Sequence, residues 1–293
     1  SMLPPIAPQA LAVLDVPPDL VWPVRLLTFF VGACIGSFLN VCISRWPDGL
    51  SVVRPRSRCP NCAHEIRWFE NLPVASWLAL RGRCSGCAQP ISWMYPAVEL
   101  VVACGWLAAV IVYGPSLEAL RIAVFGTLLF GIAMTDARHY LIPDGFTVFG
   151  LAWVLVAAFT GAMLGASSQF AGPLSAFIGA CVGTGAIRIV GWLGEVALKK
   201  EAMGFGDETL MAVVGAALGA ERALLTILLG AFLGAVGFAL VVGPIAWVRA
   251  RRAGTEFAFP DVPFGVFLAP AAMVALLWGD RAIQWYFSLA GIA

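Results

Sequence analysis

Four cysteines fall as two matched pairs, Cys59-Pro-Asn-Cys62 and Cys84-Ser-Gly-Cys87, with 21 residues between the pairs. Two residues between cysteines let both thiolates of a tight turn face one ion, and two such turns complete the tetrahedron that zinc prefers. The competing reading is two disulfides, which a reducing compartment disfavours. His64 stands close enough to replace a ligand, although a solvated loop histidine is the simpler reading. The remaining cysteines, Cys34, Cys42, Cys104 and Cys181, lie in apolar runs and read as small buried hydrophobes.

Carboxylates in or beside apolar runs are the second set able to do chemistry. Asp136 follows an apolar run in Met134-Thr-Asp-Ala-Arg-His-Tyr-Leu-Ile-Pro-Asp144, Asp144 closes the same loop, and Asp207 ends Gly204-Phe-Gly-Asp207. Asp144 and Asp207 each precede an apolar helix and could simply cap it, with Glu208 adding favourable charge in the first turn. A pairing of Asp136 with Asp207 would do more. Two carboxylates in a poorly hydrated site cannot both ionise easily, so one keeps a proton while the other acts as a base, as in aspartyl proteases. Gly204 and Gly206 permit backbone geometry closed to other residues and a close approach of substrate.

The elements that must position these groups are membrane helices. The chain has 293 residues, of which 60% are hydrophobic and only 12% charged. A net charge of +1 gives no global field for nucleic acid or acidic substrates. Runs long enough to cross a bilayer are predicted at about 21–43, 96–113, 116–135, 145–166, 171–197, 207–219, 221–247 and 262–288, eight in all. Frequent Gly and Ala, as in Gly215-Ala-Ala-Leu-Gly-Ala220, let such helices approach closely. Ser1 and Met2 read as an addition before the natural start. The stretch to Leu20 lacks the basic region of a cleaved signal peptide, so the first apolar run is expected to stay as an anchor.

Placing the loop after the first helix inside puts 13 of the 18 basic residues on the cytoplasmic side, Arg138, Lys199, Lys200 and Arg249 among them. The short run 207–219 is needed for that parity. The same topology brings Asp136 and Asp207 to the cytoplasmic face. The expected division is a periplasmic segment 1–20, a first helix 21–43, a cytoplasmic insertion 44–95 without an amphipathic helix of its own, and a seven-helix core 96–293.

At this point the sequence resembles the type IV prepilin peptidases. The residues that carry the resemblance are Gly36 to Pro47, Glu70 to Cys87, Ile91 to Leu100, Asp136 with Leu141-Ile-Pro-Asp144, the Gly204 to Asp207 element, and Val262 to Pro270. Thr209 stands where that family commonly has lysine, and Met94 where it commonly has arginine. The resemblance implies an all-α polytopic enzyme of the bacterial inner membrane with a small zinc subdomain. It implies Asp136 and Asp207 as the catalytic pair, Asp144, Gly204 and Gly206 in support, and Cys59, Cys62, Cys84 and Cys87 as zinc ligands. It further implies prepilins or pseudopilins as substrates, cut after a basic leader and before an apolar residue, expected to be Phe. The new N-terminus would then be methylated with S-adenosylmethionine. A basic leader needs negative partners, and Glu70 and Glu99, with Glu65 and Glu201, are available. Two rival classes remain: a protease without the transferase, and an ion-coupled transporter using Asp136, Glu99 and Arg188 as a polar path.

Overall fold

The computed structural model describes residues 16–164, 168–199, 203–254 and 262–291. Residues 1–15 of the expected N-terminal segment, with Lys200 and Glu201, lie outside the described residues. Every longer element is helical: α1 (Val21–Arg45), α2 (Ala75–Ala79), α3 (Met94–Tyr113), α4 (Leu117–His139), α5 (Asp144–Met163), α6 (Pro173–Leu198), α7 (Phe205–Leu218), α8 (Ala220–Gly237), α9 (Gly243–Ala253) and α10 (Gly265–Ala290). Among the described residues no strand forms, only isolated bridges between Arg58 and Glu65 and between Arg83 and Pro90.

Seven helical stretches are long and apolar enough to cross a membrane, and they include α1, α3, α4, α5, α6 and α10. The seventh is one 34-residue rod, Ala220–Ala253, in which α8 runs into α9. Its join is a π-helical turn over Phe238–Val242. Pro244 has no N–H to give, and the ladder slips there, so that Gly243 donates to the Phe238 carbonyl five residues back. The remaining expected crossing is α7, whose 14 residues reach only about 21 Å. Phe159, Phe177, Leu228 and Leu240 are more than half exposed, as a lipid-facing surface requires.

The chain divides into two compact units. The first holds the described residues up to Gly131 with Met163, Leu164 and Ser168, and the second holds 132–162 and the described residues from Gln169 onward. Helix α4 passes from one to the other at Gly131.

Each unit is built on one pair of helices in backbone contact, and two similar octapeptides, alike at five of eight positions, make the contacts. Phe30-Val-Gly-Ala-Cys-Ile-Gly-Ser37 lies in α1 and Phe177-Ile-Gly-Ala-Cys-Val-Gly-Thr184 in α6. Glycines four apart share a face and let a second helix approach to backbone distance. In the first unit a Cβ at Gly32 would sit 2.9 Å from the Ala103 Cα, and one at Gly36 would sit 2.7 Å from the Glu99 Cα. Asn40 adds a hydrogen bond from Nδ2 to the Tyr95 carbonyl at 3.1 Å, pinning the first turn of α3. In the second unit a Cβ at Gly179 would overlap the Gly215 carbonyl, and one at Gly183 would lie 2.5 Å from the Met211 carbonyl oxygen.

The insertion between α1 and α3 has only a short turn at Trp68–Asn71 and the five-residue α2. Its largest packed ring is Trp77, which donates from Nε1 to the Ile91 carbonyl at 3.2 Å and covers Gly82. So small a core does not fold fifty residues unaided.

Gly179→Ala is expected to destabilise the purified protein by about 3 kcal/mol, a fall of roughly 10 °C in melting temperature, because its methyl has only backbone to displace. Gly185→Ala, on the same helix but with nothing within 4 Å, should leave the melting temperature unchanged or slightly higher. Equal effects of the two changes would refute backbone contact as the basis of this pairing.

Candidate active site and metal centre

The two cysteine turns of the insertion have the same backbone. In the first, Cys59 N–H donates to the His64 carbonyl and Ala63 N–H to the Cys59 carbonyl. In the second, Cys84 donates to Gln89 and Ala88 to Cys84, each of the four bonds being 2.9 Å long. The residue after each second cysteine, Ala63 or Ala88, is held at φ 57° or 58°, a conformation that costs a non-glycine residue about 1 kcal/mol or more. The four sulfurs lie within 4.8 Å of one another, and the Cys59–Cys87 and Cys62–Cys84 pairs are both 3.9 Å apart. Metal–sulfur bonds of about 2.3 Å put tetrahedral sulfurs about 3.8 Å apart, so the cluster fits one such ion. All eight cysteines are free, which removes the disulfide reading. The backbone N–H groups of Cys62 and Asn61 pull the Cys59 thiol down to about 6, favouring the thiolate that binds metal. His64 is not a ligand; its ring faces Glu70 at 3.3 Å and Ser85 at 3.1 Å.

In the second unit, Asp136 sits inside the last turn of α4, not in the loop after it. The helix continues through Asp136-Ala-Arg-His139 and stops where Tyr140 takes φ 53°, the Tyr140 N–H bonding the Asp136 carbonyl at 2.9 Å. Asp136 is buried, and its Oδ2 accepts the Val266 N–H at 3.2 Å from the first turn of α10. Space for that carboxylate exists because residue 265 is glycine: a Cβ there would lie 2.8 Å from Asp136 Oδ2. The same Cβ would lie 3.0 Å from Ile142 Cδ1, and Ile142 Cβ is also 2.9 Å from where Gly206 would carry its own. Ile142 is therefore wedged between the start of α10 and the start of α7, close to both aspartates. Asp207 is the third residue of α7, the cap position being Gly204, so it is not the helix cap. It is half-buried, and Asp136 and Asp207 interact electrostatically. Asp144 opens α5 and is exposed. Thr209, where a lysine is common, turns its hydroxyl back to the Gly206 carbonyl at 2.9 Å. Arg188 pairs with Glu208 at 2.9 Å.

Glu70 and Glu99 line one cavity of about 470 Å³ in the first unit, together with Ser37, Asn40, Trp77 and Tyr95. Glu70 accepts the Arg67 N–H at 2.9 Å. That N–H, ahead of the Ser85 hydroxyl and the His64 ring, holds its carboxyl down at about 2, so Glu70 is an anion at neutral pH. Glu99 is buried and accepts the Val74 N–H at 2.7 Å. Glu65 is exposed and 4.0 Å from Arg56. Sequence reasoning missed Ile142, Val74, Gly265 and Val266 as parts of these sites. All four lie in motif segments quoted above, Glu70 to Cys87, Leu141 to Asp144 and Val262 to Pro270, but without an assigned role.

A buried carboxylate coupled to a second at a helix start, in a multi-pass helical membrane protein that also carries a four-cysteine cluster able to hold a metal ion, defines a narrow class. Residues 30–113 match the family profile described as bacterial peptidase A24 N-terminal domain, and residues 123–239 match that of the type IV leader peptidase family. The relatives named prepilin leader peptidase/N-methyltransferase include one from Stutzerimonas stutzeri, 38% identical over 90% of this chain and 94% of the relative. One from Pseudomonas aeruginosa is 35% identical over 91% of this chain and 94% of its own. One from Myxococcus xanthus is 40% identical over 77% of this chain and 64% of its own. No solved structure matches the chain. The chain belongs to the type IV leader peptidase family, and is thereby an enzyme.

Elemental analysis of the purified chain is expected to find one divalent metal ion per molecule. Cys84→Ser should abolish it and expose residues 44–95 to protease, since metal binding in such a site is folding free energy. Metal-free protein with an intact, protease-resistant insertion would refute the centre.

Proposed function

We propose that the chain cleaves the basic leader of prepilins or pseudopilins at the cytoplasmic face of the bacterial inner membrane, using Asp136 and Asp207, and methylates the amine it exposes. The observation that carries this reading is the buried Asp136 carboxylate, held by the Val266 N–H and coupled through the Ile142 wedge to the start of α7, where Asp207 projects. One aspartate takes a proton from water as it attacks the scissile carbonyl. The other, holding a proton, gives it to the carbonyl oxygen, and the roles reverse as the amine leaves. Gly204 leaves the α7 start open for an extended peptide, which helical substrate must become before its amides can be cut, while Gly206 makes room for Ile142. The names of the relatives support the substrate class and the second activity.

The four thiolates hold zinc in this reading, whose part is to fold the insertion. S-adenosylmethionine is the methyl donor and a substrate. Glu70, anionic at the cavity wall, is a partner for cationic groups of the substrate, with Glu99 beyond it. Asp144, exposed at the start of α5 two residues after Ile142, is the supporting carboxylate of this reading. A protease without the transferase is the second reading, separated by supplying labelled donor with pre-cleaved pilin.

Asp136→Asn and Asp207→Asn are each expected to reduce leader cleavage by at least roughly 1000-fold with the metal content unchanged. Gly265→Ala should also lower it, by about 10- to 100-fold, since its methyl would push the Asp136 carboxylate from the Val266 N–H. Near-normal cleavage by either asparagine variant would reject the pair.

A further inference from the structure

The buried acid Glu99 is placed with unusual care. It lies in the first turns of α3, where Gly36 lets α1 press against its own backbone. Its Oε2 receives the N–H of Val74, and Val74 is held at φ 59° and ψ −49°, in a γ-turn closed by the Ala75 N–H on the Pro73 carbonyl. A β-branched residue at positive φ is strained, and such strain persists where surrounding structure enforces it, most often at functional sites.

No cation lies within ion-pair distance of Glu99 among the described residues. The two arginines that line the cavity do not supply one. Arg45 donates to the Ser51 carbonyl at 3.0 Å, and Arg58 is exposed. A buried carboxylate without a counter-charge is costly, so this cavity favours a guest that brings a positive charge of its own. Its other walls, Trp77, Leu80, Ile91 and Tyr95, suit an apolar companion to that charge.

We propose that Glu99 is the receptor for the protonated N-terminal α-amine of the cleaved substrate, with the apolar first residue against the Trp77 and Tyr95 walls. This rests on the methyl-transfer half of the reading above. A chain terminus that joins one amine to an apolar residue matches the cavity. A basic leader would have to strip water from several charges to reach a group only 8% exposed.

Glu99 also accounts for the proton. The ammonium gives one proton to the carboxylate and becomes a nucleophile. Its lone pair then attacks the methyl carbon of the sulfonium donor, and the carbon–sulfur bond breaks with its electrons left on sulfur as a thioether. The product is a secondary ammonium, and Glu99 returns its proton to water.

The test uses the full chain in lipid nanodiscs and a mature-pilin peptide beginning with Phe, with its α-amine free or acetylated. Wild type is expected to bind the free amine roughly 10- to 100-fold more tightly than the acetylated form. Glu99→Gln should erase that preference while binding S-adenosylmethionine as before, and Glu99→Asp, which keeps the charge, should retain part of it. Metal content equal to wild type verifies the fold of both variants. Absence of a preference in wild type, its survival in Glu99→Gln, or loss of donor binding instead would overturn the proposal. A clear preference without any methyl incorporation would sink the transferase reading and leave the amine subsite standing. Incorporation without a preference would do the reverse.

Discussion

Close approach of helix backbones is the constraint on which both units depend. Lipid offers helices no hydrophobic reward for associating, so pairing must come from dispersion and polar contacts at short range. Gly32 and Gly36 supply that range between α1 and α3, and Gly179, Gly183 and Gly215 supply it between α6 and α7. The carboxylates proposed to react are set by the same contacts. Gly36 rests on the backbone of Glu99 itself, and Gly183 rests on Met211, one helical turn beyond Asp207. A carboxylate positioned by backbone against backbone inherits little rotamer freedom from its neighbours, which is what a site needing sub-ångström placement requires.

Strain is distributed accordingly. Among the described residues, six non-glycine residues have positive φ: Ala63, Val74, Arg81, Ala88, Tyr140 and Lys199. Four belong to the insertion. Ala63 and Ala88 close the two metal turns, and Val74 aims its N–H at Glu99. Tyr140 ends α4 four residues after Asp136 and turns the chain so that Ile142 can wedge between α7 and α10. An ion held by the four thiolates would sustain the strain in the insertion, because it would contribute far more than the few buried side chains around Trp77.

Much of this was legible in the residues alone. Apolar runs predicted eight crossings, of which seven correspond to helices long and apolar enough to span a membrane, and the two cysteine pairs pointed to the four-sulfur cluster because ligand spacing is a local property. The end of α4 was misplaced because Asp-Ala-Arg-His is a compatible helical turn with no glycine or proline to stop it, and the stop is a tyrosine at φ 53°. The octapeptide repeat went unread, since its two copies are 147 residues apart and surrounded by similar small residues. Val266 and Val74 could not have been assigned from sequence at all. Each contributes a backbone N–H, and any residue but proline carries one. Arg121, within the predicted run 116–135, is 1% exposed and 3.6 Å from Glu118 of the same helix α4.

That pair points to a distinction among the acids of the helices. Glu118, Glu208 and Asp280 each face an arginine, Arg121, Arg188 and Arg222 respectively. A guanidinium holds its carboxylate by charge as well as by hydrogen bonding, which suits a group that fixes helices. Asp136 and Glu99 are held instead by a peptide N–H, from Val266 and from Val74. A peptide dipole orients a carboxyl group nearly as well but carries no net charge, so both protonation states remain open to it. An acid proposed to give and take protons is better oriented in this way than by an arginine. On that physical ground, Asp136 and Glu99 differ from the arginine-paired Glu118, Glu208 and Asp280.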